Sequence, residues 1–253
     1  MATKDIVPQT VYGYQILLET CQPFIQANYG DGEWSCILGY EGQNAQGGCY
    51  TPEIRKALVE TLKEPRFTYY GWNPGKKLYD EARQWLADNN VRVRWVQKEI
   101  LANANCQGQL GPLLLILQKR NVLLLGPKHL QDLQILKHNA FVEVPLPNAF
   151  TAIKDTIAAV VTRMTTTACD CLLFCSGMAG KPTMWRLAPL LPPTVTMLDM
   201  GAIFDPYVGI LSRGAYRNPK SFFSQRGLDM NLEAIGMSHL AIQIRKDAKR
   251  TSY

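Results

Sequence analysis

Histidine is scarce in this sequence: His129, His138 and His239 are the only three in 253 residues. There is no Gly-x-Ser-x-Gly turn either, so a serine–histidine hydrolase triad has little to be built from. No P-loop occurs, which disfavours a P-loop phosphotransferase. No Gly-x-Gly-x-x-Gly follows a candidate strand, which disfavours a dinucleotide cofactor. Long apolar runs are missing too. Leu113–Leu117 and Val122–Leu125 are core-sized, well short of a membrane span. Met1-Ala2-Thr3-Lys4-Asp5 lacks the apolar core of a secretion signal. The seven cysteines are scattered, with no paired Cys-x-x-Cys motifs at zinc spacing. Strand alternation puts Cys169, Cys171 and Cys175 on one face. These features lead us to expect a cytoplasmic protein with reduced, buried thiols and no membrane insertion.

The composition, 47% hydrophobic and 19% charged, is that of a globular chain. Apolar spacing at Tyr14, Leu17, Leu18, Cys21, Phe24 and Ile25 predicts a helix over Val11–Ala27, kinked or broken at Pro23. Ser35–Leu38 reads as a strand or a helix start. Thr51 and Pro52 mark the cap and first turn of a helix to about Lys63. A further helix is expected over Lys76–Asn89, and an alternating strand over Val91–Val96. From there helices (Gly111–Arg120, Lys128–Lys137, Ala149–Met164, Pro182–Leu190) alternate with short apolar strands (Asn121–Leu125, Phe141–Val144, Cys169–Cys175, Val195–Leu198). This alternation predicts an α/β fold: a Rossmann-like, mostly parallel sheet flanked by helices. We expect one unit over 1–253, with a helical N-terminal part over 1–90, a core over 91–212 and a basic portion over 213–253.

The stretch around which the chain is organised is Asn28-Tyr29-Gly30-Asp31-Gly32-Glu33-Trp34. In an extended chain Asp31 and Glu33 point to the same side, and paired carboxylates suit a hard cation such as Mn²⁺ or Mg²⁺. The alternative is a solvated acidic turn. Three later strands end in glycine turns: Gly126-Pro127, Ser176-Gly177 and Asp199-Met200-Gly201. In a parallel sheet such turns lie beyond the carboxyl ends, where phosphates bind. His129 stands just after one of them, within reach of a ligand there, but reads rather as a surface helix position, as does His138. The run Phe67, Tyr69, Tyr70, Trp72 either stacks on a base or sugar or packs into the core. From Arg213 to Tyr253 eight basic residues outnumber three acidic ones, which points to a polyanionic partner or a solvated tail.

In order, these segments resemble the glycosyltransferases of the GT-D fold type, a Rossmann-like group with a D-x-E motif. The likeness runs from about Tyr14 to Gly214. It is carried by Gly30-Asp31-Gly32-Glu33-Trp34, Tyr69-Tyr70-Gly71, Trp95-Val96 with Ala104-Asn105 and Gly108, Leu123-Leu124-Leu125-Gly126-Pro127, and Leu198-Asp199-Met200-Gly201 with Phe204-Asp205. It departs at Asn28, where many members have arginine, and at Ala202, where some have histidine. The resemblance implies a divalent cation (Mn²⁺ or Mg²⁺) held by Asp31 and Glu33, and a nucleotide-sugar donor such as a UDP-sugar. Asp199 and Asp205 are the further catalytic candidates. Gly30, Gly32, Tyr70, Gly71, Asn105, Gly126, Pro127, Ser176, Gly177, Gly201 and Arg213 are the donor-binding candidates, and Arg217 is a phosphate candidate. The expected activity is hexosyl or pentosyl transfer to a hydroxyl, with a hydroxymethylpyrimidine base of phage DNA as acceptor. A bacterial surface glycan or glycoprotein is the alternative acceptor. A non-catalytic nucleic-acid-binding protein is the alternative from another class.

Overall fold

The computed structural model describes residues 6–43, 47–147 and 149–248. Seven strands form one sheet: β1 (Ile25–Tyr29), β2 (Tyr69–Trp72), β3 (Trp95–Gln97), β4 (Val122–Gly126), β5 (Ala140–Glu143), β6 (Cys171–Phe174) and β7 (Thr196–Asp199). Their order is β3-β2-β1-β7-β6-β4-β5, and each neighbouring pair is parallel. The Rossmann-like α/β architecture expected from the sequence is therefore present.

The strands are short and apolar because both faces are covered. Val122 and Leu124 of β4 enter one core cluster, whereas Leu123 and Leu125 enter the other. Helices α1 (Val11–Glu19), α5 (Ile100–Cys106) and α6 (Gly111–Leu117) cover the first face. Helices α2 (Asp31–Leu38), α3 (Pro52–Thr61), α4 (Tyr79–Asp88), α7 (Ile153–Thr166) and α8 (Gly180–Leu187) cover the second. The helices α9 (Gly214–Arg217), α10 (Leu228–Ala234) and α11 (Leu240–Ala248) return the chain to the first face.

The N-terminal helix is shorter than its apolar spacing suggests. It ends at Glu19, Cys21 takes a left-handed conformation (φ 51°), and β1 begins at Ile25. Pro23 supplies no N–H, and the residue before a proline is pushed out of the helical region. Tyr14, Leu17, Leu18 and Phe24 share one core cluster all the same, so the spacing marked buried positions correctly while the backbone changed type. Residues 1–90 thus contribute β1 and β2 to the sheet in addition to helices. Ser35–Leu38 is helical, as part of α2. Thr51 caps α3 as expected, its Oγ1 accepting from Ile54 N–H at 3.4 Å. The helix expected over Lys128–Lys137 is one 3-10 turn, Lys128–Leu130. Leu130, Leu133, Ile135 and Leu136 are all buried, so the apolar spacing again marked core positions while the backbone took another form. The strand at Val91–Val96 is reduced to Trp95–Gln97.

The aromatic run is core. Tyr69 and Tyr70 are each 1% exposed, and Trp72 packs on Trp34 and Trp95 with ring centroids 5.0 Å apart in both pairs. Tyr70 donates its hydroxyl to the Thr61 and Glu64 carbonyls at 2.9 and 3.1 Å. The cysteines are all free, but Cys21 and Cys49 are exposed, a correction to the expectation of buried thiols throughout.

Gly71 of β2 holds β1 in place by having no side chain. A Cβ there would lie 2.1 Å from Asn28 Oδ1 and 3.2 Å from the Lys98 backbone. Gly71→Ala is therefore expected to lower unfolding free energy by about 1–3 kcal/mol in urea titrations. The same change made in an Asn28→Ala background should cost less, because the closest atom is gone. Equal costs in both backgrounds would show that the Asn28 contact is not the cause.

Candidate active site

Four strand ends meet at one pocket of about 300 Å³. β1 delivers Asn28 and runs through Gly30 into α2, whose first turn carries Asp31, Gly32 and Glu33. β3 ends before Lys98 and Glu99. β6 leads to Gly177 and then to α8, which carries Lys181. β7 ends in Asp199, followed by Met200, Gly201 and Ala202, and Arg213 and Tyr216 close the pocket from the C-terminal portion. This is the carboxyl edge of the sheet, where parallel α/β folds bind their ligands.

The floor is a buried charge cluster. Lys181, 4% exposed, places its Nζ 2.7 Å from Glu33 Oε1 and 3.0 Å from Asp199 Oδ2, and it donates to the Gly177 carbonyl at 3.0 Å. Glu33 Oε2 accepts the Gly30 N–H at 2.9 Å, the reach-back bond of a helix start. Asp199 accepts from Asn28 N–H (3.1 Å) and from Gly201 N–H (3.1 Å), while Asn28 Nδ2 donates to the Asp199 carbonyl (2.8 Å). Burial alone would raise the Glu33 carboxyl. The Lys181 ammonium, then Lys98 and the Gly30 N–H, outweigh that and hold it below the usual carboxylate range. Burial would likewise lower Lys181, but Asp199 and Glu33 raise it above an ordinary lysine.

Asp31 and Glu33 are not presented as an extended pair. They occupy the first and third positions of a helix, so Asp31 is exposed at the rim while Glu33 is buried in the floor. Both Glu33 oxygens already hold a protein donor. The donor set does not fit a divalent cation shared by the two: the position facing Glu33 Oε1 belongs to the Lys181 ammonium. Among the described residues no group of three or more His, Cys, Asp or Glu could hold a metal ion.

Of the candidates named from the sequence, the pocket gathers Asp31, Gly32, Glu33, Gly177, Asp199, Gly201 and Arg213. Gly30 stands behind it, its N–H spent on Glu33. Tyr70 and Gly71 are displaced into the core for the reasons given above. Asn105 is fully buried behind the pocket, where it bonds Tyr207, Tyr216 and Asn231. Gly126 and Pro127 end β4 outside the lining. Asp205 lies off the pocket, 3.3 Å from His129 Nε2. Arg217 lines a separate groove with Phe223 and Ile244. Ser176 turns away from the acidic pocket and, with Gly177, lines an adjoining, more apolar one of about 470 Å³ that includes Ile54, Pro147 and Phe150. Lys98 and Lys181 were not read from the sequence. The one available signal was a lysine at a helix start directly after a strand-ending glycine turn.

No family model and no curated protein matches the sequence. Two solved structures share its fold. One is described as a selenomethionine-substituted domain of unknown function 1792 (TM-score 0.55, 11% identity), covering 78% of this chain and 79% of that one. The other carries the description "The highly conserved domain of unknown function 1792 has a distinct glycosyltransferase fold" (TM-score 0.56, 12% identity), with the same coverage. The chain therefore has a glycosyltransferase fold of this type.

The charge cluster sets the pH response. Glu33 titrates below its unfolded value of about 4.3, so its stabilising contribution is complete above that pH and is lost as pH falls through the lower folded value. Lys181 titrates above its unfolded value of about 10.4, so its contribution is complete below that pH and is lost as pH rises through the folded value. Thermal melts should show Glu33→Gln well below wild type at neutral pH, with the gap closing under acid. A gap unchanged by acid would mean that the Glu33 charge does not stabilise the fold.

Proposed function

We propose that the protein is a glycosyltransferase that moves a sugar from a nucleotide-sugar donor to a hydroxyl acceptor. The observation that carries this reading is a pocket with both kinds of partner on one glycosyltransferase fold. The buried carboxylates of Glu33 and Asp199 form the floor, and the cations Lys98 and Arg213 stand in the walls. Carboxylates accept hydrogen bonds from sugar hydroxyls, and cations offset the charge that develops on a departing diphosphate. The adjoining apolar pocket meets the first at Gly177 and suits the nucleoside, with UDP as the first nucleotide to try.

The transfer breaks the bond between the sugar carbon C1 and the diphosphate oxygen, whose electron pair leaves with the nucleotide. It forms a bond between C1 and the acceptor oxygen, whose proton must go to a base. Asp199 has its oxygens occupied by Lys181, Asn28 and Gly201, and Asp205 faces His129. Glu99 accepts from Asn73 Nδ2 at 2.6 Å and pairs with Lys98. Exposed Asp31 makes no ion pair among the described residues, so we assign the proton to it. For the acceptor we favour a carbohydrate hydroxyl over a DNA base, because, of the walls that would have stacked an extruded base, Tyr69 and Tyr70 are core and Trp72 is half-buried against Trp34 and Trp95.

A panel of nucleotide sugars, incubated with glycan and with hydroxymethylpyrimidine DNA and read by mass spectrometry, tests the reading. One donor is expected to lose its sugar to the glycan. Asp31→Asn should lower kcat by about 10²–10⁴-fold, the usual scale of a lost general base. Lys98→Met should lower kcat/KM by about 10²-fold or more, as for other groups that stabilise developing charge. Transfer to the DNA nucleoside instead would overturn the acceptor assignment. No transfer or hydrolysis of any donor, together with no thermal stabilisation by UDP, would overturn the glycosyltransferase reading.

A further inference from the structure

Paired carboxylates at the end of a β-strand ordinarily invite a divalent ion, because two negative groups need a positive one between them. Here the positive group is part of the chain. Lys181 has three N–H donors, and the structure gives it three acceptors: Glu33 Oε1, Asp199 Oδ2 and the Gly177 carbonyl. Its ammonium is thereby saturated and, at 4% exposure, shut off from water. Backbone N–H groups of Gly30, Asn28 and Gly201 take further acceptor positions on the two carboxylates. A metal placed between Glu33 and Asp199 would have to evict Lys181. That would strand an ammonium in the interior without a partner, at a large desolvation cost.

We infer that Lys181 is the resident cation of this site, filling for Glu33 and Asp199 the place that a divalent ion would otherwise take. It is a positioning residue. It holds both carboxylates in place beneath the pocket, so that they can serve a sugar's hydroxyls, and it ties α2, β7 and the β6–α8 turn into one frame. Divalent-ion binding by this protein is then independent of Glu33, whatever the acid motif suggests. Lys98, whose side chain would lie 2.8 Å from a Cβ at Gly30, adds a second positive charge at the same carboxylate.

The inference deepens the glycosyltransferase reading, but its test does not depend on activity. Mn²⁺ binding is measured by the loss of the free-ion electron paramagnetic resonance signal, with and without UDP, on the full chain. Glu33→Gln keeps the shape of the side chain and the Lys181–Asp199 pair. It is expected to leave Mn²⁺ affinity within about threefold of wild type, well inside the 10–100-fold losses typical when a metal site is damaged. Lys181→Ala, which leaves two carboxylates facing one another across a vacated space, is expected to gain nucleotide-independent Mn²⁺ affinity of about tenfold or more. Should Lys181→Ala fail to fold, Glu33→Gln alone decides. A loss of about tenfold or more in Glu33→Gln, or a folded Lys181→Ala with no gain, overturns the inference. If the protein transfers sugar while Glu33→Gln loses Mn²⁺, only the lysine assignment falls. If no donor reacts and Mn²⁺ binding ignores Glu33, only the transferase reading falls.

Discussion

A buried ammonium held between two buried carboxylates is the constraint on which the rest of this site depends. Glu33 comes from α2, Lys181 from α8 and Asp199 from the end of β7. Burying such groups is costly, and the mutual attraction repays the cost only with close geometry and additional hydrogen bonds. Here the Gly177 carbonyl takes the third donor of the ammonium, and the backbone N–H groups of Gly30, Asn28 and Gly201 bond the carboxylates. The cluster adds little net stability over an apolar packing of equal volume, but breaking it by removing one partner costs about 3–5 kcal/mol. It therefore fixes where three strand ends stand relative to one another.

The remainder of the architecture serves that placement. Asn28 is bonded to Asp199 across 171 residues of sequence, which aligns β1 with β7 at their carboxyl ends. Gly71 must be bare so that the Asn28 side chain can stand beside it. Behind the first turn of α2, Trp34 is sealed among Trp72, Trp85 and Trp95. Packing of that density leaves α2 little freedom to shift, so the position of Glu33 is set by tertiary contacts and not by helix propensity. Gly201 adopts φ 56° with open space around it, letting the β7 turn donate its N–H to Asp199 without a side chain entering the pocket.

How much of this was legible depended on whether a signal was local. Strands β4, β6 and β7 are short all-apolar runs ended by glycine turns, and they were read close to their true bounds. β1 was missed because Tyr14, Leu17, Leu18, Phe24 and Ile25 satisfy a helical spacing, and only the sheet's hydrogen bonds and burial on both faces decide against it. The acidic motif was located correctly, but its geometry was misjudged. Two residues apart means one side of a strand and nearly opposite sides of a helix, and Gly30 ends β1 so that Asp31 begins α2. Lys181 left almost no local trace. Its meaning lies in two carboxylates brought to it by the fold, and pairing of that kind has no sequence period to betray it.

The basic C-terminal portion shows the same limit from the other direction. Its charge excess suggested one surface for a polyanion. Arg213 lines the acidic pocket, whereas Arg217 and Arg245 line a second groove, where Arg245 is bound to Asp229 at 2.8 Å. Lys249 and Arg250 lie outside the described residues. A phosphate backbone is recognised by several cations acting along one track, because each released counterion contributes its share of affinity. A diphosphate needs only two or three cations converging on one point. Lys98, itself paired with Glu99, and Arg213 line the one pocket whose floor carries Glu33, Lys181 and Asp199. The net charge of the chain is thus a weaker guide to a ligand than the few cations that line the pocket.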